Sequence, residues 1–137
     1  MIEKELTVEA RDEQLAVVQD FVQELLDSAG VSLKAQMQIS IAVEEIFVNI
    51  SHYAYTPNIG SATIRIRITE NPPELTLVFL DRGIPYDPTK AESPDLSLPA
   101  DEREVGGLGI FMTKQLVDKV SYEYRDGQNI LTLLRRL

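Results

Sequence analysis

Residues 38–55 read QISIAVEEIFVNISHYAY, and the rest of the chain is organised around them. At about 100° per residue, Ile39, Val43, Ile46, Phe47 and Ile50 fill one arc of a helix. Glu45, Asn49 and His52 project from a narrow stripe beside that arc, with Gln38 two turns before Glu45 in line with them. A carboxylate, an amide and an imidazole beside an apolar arc can hold a metal ion and activate a hydroxyl. The partly exposed polar face of an ordinary amphipathic helix gives the same pattern, so this stretch alone leaves both open.

Outward from it, the chain alternates between recognisable periods. Ile2 to Ala10 alternates as a strand, with Ile2, Leu6 and Val8 mostly on one side, and suits a sheet edge. From Asp12 to Ala29, Leu15, Val18, Phe21, Val22, Leu25 and Leu26 recur at helical spacing, and Gly30 is a natural stop. Ser32 is a serviceable N-cap for the long second helix, which is expected to run to about Tyr55, before Pro57. ATIRIRIT (62–69) is a half-buried strand, Asn71-Pro72-Pro73 a turn, and LTLVFL (75–80) a central strand ending at Asp81; together they predict a hairpin. Gly83 to Val105 has no periodicity and is punctuated by prolines, and a loop of that length is usually functional or disordered. Helical spacing returns over Gly106 to Val120, and two strands, 121–125 and 129–135, flank the hairpin turn Asp126-Gly127. This order does not alternate strictly, which disfavours a doubly wound parallel sheet. It predicts a two-layer α/β sandwich, with one mostly antiparallel sheet covered on one face by three helices.

Composition limits the chemistry. At 137 residues and 44% hydrophobic content, one domain spanning 1–137 with a real core is expected. The chain has no run of about 18 apolar residues and its first residues lack a signal-peptide core, so a soluble, cytoplasmic protein is expected. Zero cysteines exclude disulfides and thiolate metal sites, and a single histidine argues against zinc, leaving a hard ion on oxygen ligands. A net charge of −9 works against non-specific binding to nucleic acid or an anionic membrane and favours a protein partner. A polyanion such as a nucleotide would then be neutralised locally, by backbone amides, a divalent cation and a few placed cations.

Two further stretches carry chemistry. Asp81-Arg82-Gly83 ends a buried strand; its carboxylate can accept from an exocyclic amine, and Gly83 leaves room for a flat ring, although a plain turn uses the same residues. Gly106-Gly107-Leu108-Gly109 leads into a helix, where backbone N–H groups and the helix dipole suit a phosphate, with a flexible hinge as the alternative. It is not a P-loop, since no Gly-Lys-Ser/Thr follows, and Met112 stands where a dinucleotide fingerprint needs its last glycine.

In this order, Glu-x-x-x-Asn on a helix, Asp-x-Gly after a strand, a long loop and Gly-Gly-x-Gly before a helix resemble the Bergerat-type (GHKL) ATPases shared by gyrase, MutL and sensor histidine kinases. EEIFVNISHYAY, DRGIPYDP and GGLGIF more specifically resemble the anti-sigma-factor serine kinases, the RsbW-like branch, and the resemblance covers about Leu6 to Leu134. It implies the Bergerat ATP-binding fold and an ATP- and Mg²⁺-dependent serine/threonine kinase. Such a protein would sequester a sigma factor and phosphorylate an anti-sigma-factor antagonist, as a homodimer. It further implies Glu45 as general base, Asn49 as ligand to Mg²⁺, and Asp81 reading the adenine amine with Gly83 beneath the ring. Gly106, Gly107 and Gly109, with Leu108 among them, would cradle phosphate, and 89–105 would form a lid offering Lys90 and Arg103. His52 and Tyr53 match the motif without a defined role, and His52 reads as structural. Val105 is not the arginine some kinases of this branch carry there. Where many relatives have a late-strand threonine near the base, Gln128 and Asn129 follow Gly127 and Thr132 comes later, so that contact is unassigned. A nucleotide-loaded binding switch without kinase activity, or a bare ATPase, are the rival readings.

Overall fold

The computed structural model describes residues 1–55, 57–90 and 107–137, the last stretch and Lys90 by backbone alone up to residue 111. Strand β1 (Ile2–Glu9) leads through a 3₁₀ turn (Asp12–Gln14) into α1 (Leu15–Ser28) and α2 (Leu33–Tyr53). Strands β2 (Ser61–Glu70) and β3 (Pro73–Asp81) follow, then a 3₁₀ turn (Pro88–Lys90), α3 (Gly107–Leu116), β4 (Lys119–Arg125) and β5 (Gln128–Arg136). All strand pairs are antiparallel and the sheet order is β1-β2-β3-β5-β4. The expected edge position of β1 and central position of β3 are what the structure has.

Strand periodicity divides the sheet into two faces. Ile64, Ile66 and Ile68 on β2, Leu75, Leu77 and Phe79 on β3, and Leu131 and Leu133 on β5 are buried. Val18, Val22 and Leu26 of α1 and Ile39, Val43, Ile46, Phe47 and Ile50 of α2 belong to the same core. The alternate residues of β1 and β2 face away and pair by charge, Arg65 with Glu5 at 2.7 Å and Arg67 with Glu3 at 3.6 Å. Exposed pairs of this kind add little stability; the hydrophobic face holds the layers together.

The connection from α1 to α2 fixes where the long helix starts. Gly30 takes φ 69°, its N–H bonds to Asp27 O, and the N–H of Val31 reaches Leu26 O, both at 3.1 Å. This reciprocal pair closes the free carbonyls of α1 and needs a left-handed residue, which glycine supplies. Ser32 then caps α2, its Oγ accepting from Ala35 N at 3.2 Å. Two boundaries differ from expectation. Helix α2 ends at Tyr53 rather than Tyr55, and α3 ends at Leu116 rather than Val120. The second difference is a tertiary override: Asp118 N bonds to Leu134 O at 2.8 Å and its carboxylate accepts from Arg136 N at 2.6 Å, so residues 119 and 120 join β4.

Candidate functional site

A cleft of about 270 Å³ opens between the second half of α2 and the ends of the central strands. Helix α2 contributes Ile46, Asn49, Ile50 and Tyr53; β3 contributes Phe79 and Asp81; β4 and β5 contribute Tyr122, Asn129 and Leu131. Ile84 and Tyr86, exposed on the segment after β3, form its mouth, and the buried Pro88 completes the lining. The walls are mostly apolar with a carboxylate and two amides among them, the usual make-up of a small-molecule site.

The polar stripe of α2 is split by this geometry. Asn49 is half-buried and lines the cleft, and its side chain makes no hydrogen bond among the described residues. Glu45 is half-buried one turn earlier but is not in the cleft wall. Gln38 belongs to the far end, where its Oε1 accepts from the Arg135 guanidinium at 2.6 Å. His52 faces the start of α1: its Nε2 lies 2.7 Å from Asp12 Oδ2, while Ser51 Oγ donates to Asp12 Oδ1 at 2.5 Å. The imidazole thus ties the 3₁₀ turn before α1 to α2. Tyr53 lies edge-on to the His52 ring, with centroids 6.0 Å apart, and lines the cleft.

The hydrogen bond from Ser51 and then the contact with His52 hold the Asp12 carboxyl below its ordinary value of 3.8. A depressed carboxyl stabilises the fold above its unfolded value, and that contribution disappears as pH falls through the folded one. Ser51→Ala should therefore melt about 2 °C below the wild type at neutral pH, the modest size of an exposed bond. The deficit should shrink as pH falls below 3.8. Thermal melts at neutral pH and through the acid range check this, and an unchanging deficit would refute the linkage.

Asp81 sits at the end of β3, 7% exposed. Burial pushes its carboxyl up, and hydrogen bonds from Asn129 and from Gly83 N oppose that shift. Those bonds run from Asn129 Nδ2 and Gly83 N to the same oxygen, Oδ1, each at 2.9 Å. Gly83 also answers to a packing constraint that its motif does not announce. A Cβ at this position would lie 2.2 Å from Ala54 O and 2.6 Å from Ala54 Cβ, so the glycine lets the Asp81 turn press on the end of α2. The N–H of Ile84 seals that contact by bonding to Ala54 O at 2.9 Å. Tyr55 makes a second weld, accepting from Arg82 N at 2.6 Å and donating to Ser61 O at 2.7 Å.

Of the phosphate-side residues, Gly107, Leu108 and Gly109 form the opening turn of α3. Gly106 and Arg103, and the lid expected between Thr89 and Val105 beyond Lys90, lie outside the described residues. Lys90 ends the short turn after Pro88. That turn is fixed by Asp87, whose Oδ1 accepts from Thr89 N and Thr89 Oγ1, and by Lys114 Nζ on α3, which donates to Thr89 O at 2.9 Å.

Sequence reasoning named Asn129 but left it unassigned, and it missed Tyr122. The period-two run Asn129-Leu131-Leu133 was a usable signal for the inward face of Asn129, but which residue of β3 it meets depends on a pairing 48 residues away in sequence.

Comparison with known proteins adds the lineage. Residues 8–135 match the histidine kinase-like ATPase domain family. A serine/threonine-protein kinase, BtrW, of Bordetella bronchiseptica is 33% identical over 102 residues, covering 74% of this chain and 71% of that protein. A serine-protein kinase, RsbW, of Bacillus cereus is 24% identical over 131 residues, covering 93% and 81%. The crystal structure of the RsbU and RsbW domains of a Mycobacterium tuberculosis protein superposes with a TM-score of 0.72 at 17% identity. It covers all of this chain, which corresponds to 33% of that longer one, and shares its fold. With the two-layer sandwich, the cleft and the match over 128 of its residues (8 through 135), this chain belongs to the histidine kinase-like ATPase domain family, among relatives named serine-protein kinases.

Proposed function

We propose that this protein is an ATP- and Mg²⁺-dependent serine/threonine protein kinase that binds a sigma factor and phosphorylates an anti-sigma-factor antagonist. One observation carries the reading: Asp81 and Asn49, on different elements, line the same mostly apolar cleft. Asp81 would accept from the amine of the base, and Ile50, Phe79 and Leu131 would cover its faces. Asn49 would offer its amide oxygen to Mg²⁺ where the phosphates leave the cleft, and the opening turn of α3 would receive the phosphates.

The residues present suit that ion. Mg²⁺ takes oxygen ligands, keeps several waters, and is usually held by one or two side chains plus substrate phosphates. Asn49 is the one amide of α2 in the cleft wall, which suits an ion that completes its shell with nucleotide phosphates and water. The ion would supply charge neutralisation for the transferred phosphoryl group. Glu45, one turn before Asn49, would take the proton of the attacking hydroxyl.

Incubating the full chain with γ-labelled ATP, Mg²⁺ and candidate small antagonist proteins tests this. Label on a serine or threonine of one candidate is the expected result. ATP bound without transfer would instead mark a sequestering switch, and free phosphate without labelled protein a bare ATPase.

A further inference from the structure

Pairing of β3 with β5 sets Asp81 opposite Asn129, and Asn129 is 7% exposed. Its Nδ2 donates to Asp81 Oδ1 and to Ile84 O, both at 2.9 Å, with Gly83 O further off at 3.4 Å. Its Oδ1 accepts from Tyr86 N at 3.2 Å and from the Tyr122 hydroxyl. The reverse amide orientation would set oxygen against oxygen at Asp81 and Ile84, so these neighbours fix it. An amide has two N–H bonds and two lone pairs, and here all four are spent inside the protein. Nothing on Asn129 remains for a ligand, although it lines the cleft. Asp81 is left asymmetric: Oδ1 already accepts from Gly83 N and Asn129 Nδ2, while Oδ2 has no donor among the described residues and is not sealed off.

We propose that Asn129 is a positioning residue for base recognition, tethering one oxygen of Asp81 so that the other meets the exocyclic amine of a purine. Through Ile84 O and Tyr86 N the same side chain fastens the mouth of the cleft to β5. The inference rests on the nucleotide reading above and deepens it. A side chain with a spare donor or acceptor at this point would contact the base itself; a saturated amide acts only through Asp81 and the mouth. Base selectivity is then carried by a single carboxylate oxygen, and its direction is set from another strand.

Calorimetry with ATP and with GTP, on the full chain across about pH 5 to 8, tests this with Asn129→Leu and Asp81→Asn. Asn129→Leu keeps the side-chain size and removes the tether. It should weaken ATP about tenfold, equivalent to about 1.4 kcal/mol, and shrink the preference for ATP over GTP by a similar factor. The acid limb of ATP binding should also move to higher pH, because an N–H bond that favours the ionised carboxylate has gone. Of the other ionisable groups there, burial pushes the phenols of Tyr55 and Tyr122 above their ordinary value, so they stay neutral over this range. Arg82 and Asp87 lie on the segment after Asp81 and are the same in every variant.

A purely structural role for Asn129 would lower stability without moving the ATP to GTP ratio or the acid limb. Unchanged ratio and limb in folded Asn129→Leu, with Asp81→Asn losing the preference, would overturn this inference and leave the nucleotide reading standing. A wild type that binds neither nucleotide would overturn both. Should Asn129→Leu not fold, Tyr122→Phe removes one donor to the amide at almost no change in volume. It should shift both readouts the same way by a smaller factor, and no shift in either would count against the tether.

Discussion

Replacing Glu45 with glutamine should leave ATP affinity within about twofold of the wild type and lower phosphotransfer by about 10²–10⁴, the usual worth of general acid–base catalysis. Glutamine keeps the length and hydrogen-bonding capacity of the side chain and loses proton acceptance. Glu45 stands one turn from Asn49 on α2, half-buried and outside the wall that would hold the base. Its removal should therefore be felt in chemistry rather than binding. Asn49→Ala gives the contrast, since it deletes the one amide of α2 that lines the cleft. Removing a ligand to Mg²⁺ should weaken Mg²⁺-ATP binding as well as turnover. Calorimetry and label transfer on both variants separate the two roles. Full transfer by Glu45→Gln would sink the base assignment.

Gly83→Ala should lower folding stability by about 3 kcal/mol, combining overpacking with a lost backbone hydrogen bond. The atom an alanine methyl would strike is the backbone carbonyl oxygen of Ala54, the C-cap of α2, 2.2 Å away, not the tip of a flexible side chain. Relief requires the Asp81 turn to lift off α2, which also breaks the bond from Ile84 N to Ala54 O. Gly30→Ala is the informative control. Its φ of 69° strains an alanine, yet no atom lies within 4 Å of the added carbon, so about 1 kcal/mol is expected. Urea unfolding of the two variants measures the difference. A Gly83→Ala chain as stable as Gly30→Ala would refute the steric account.

The contrast between these glycines shows how far the sequence could be read. Gly30 follows an amphipathic run and precedes a capping serine, so its duty is local and its neighbours announce it. Gly83 looks just as legible, in Asp-x-Gly after a buried strand, but what it must avoid is Ala54, which the sequence does not set beside it. The same division runs through the site. Asn49 and Asp81 could be nominated because helix and strand periods orient them. His52 could be matched to a motif, while its partner Asp12, 40 residues earlier, is a tertiary fact. Asn129 stayed unassigned because hairpin chemistry at Asp126-Gly127 sets the register of β5 against β4 and says nothing of β3. Gln38 was drawn into the polar stripe by helical geometry alone, and Arg135, from the far end of the sheet, claims it.

The pairing of Asp81 with Asn129 also has a meaning in the order of synthesis. The two residues are 48 apart in sequence, and β5 is made after every other element of the cleft. A nascent chain that has released α2 and β3 from the ribosome owns the Asp81 carboxylate but not the strand whose Asn129 holds it. Long-range closures of this kind are the slow steps of folding, because chain entropy is lost before the contact is gained. Nucleotide capture would then come late, after the sheet has been joined across its middle, and a chain interrupted before β5 would hold the motifs of the family without its pocket.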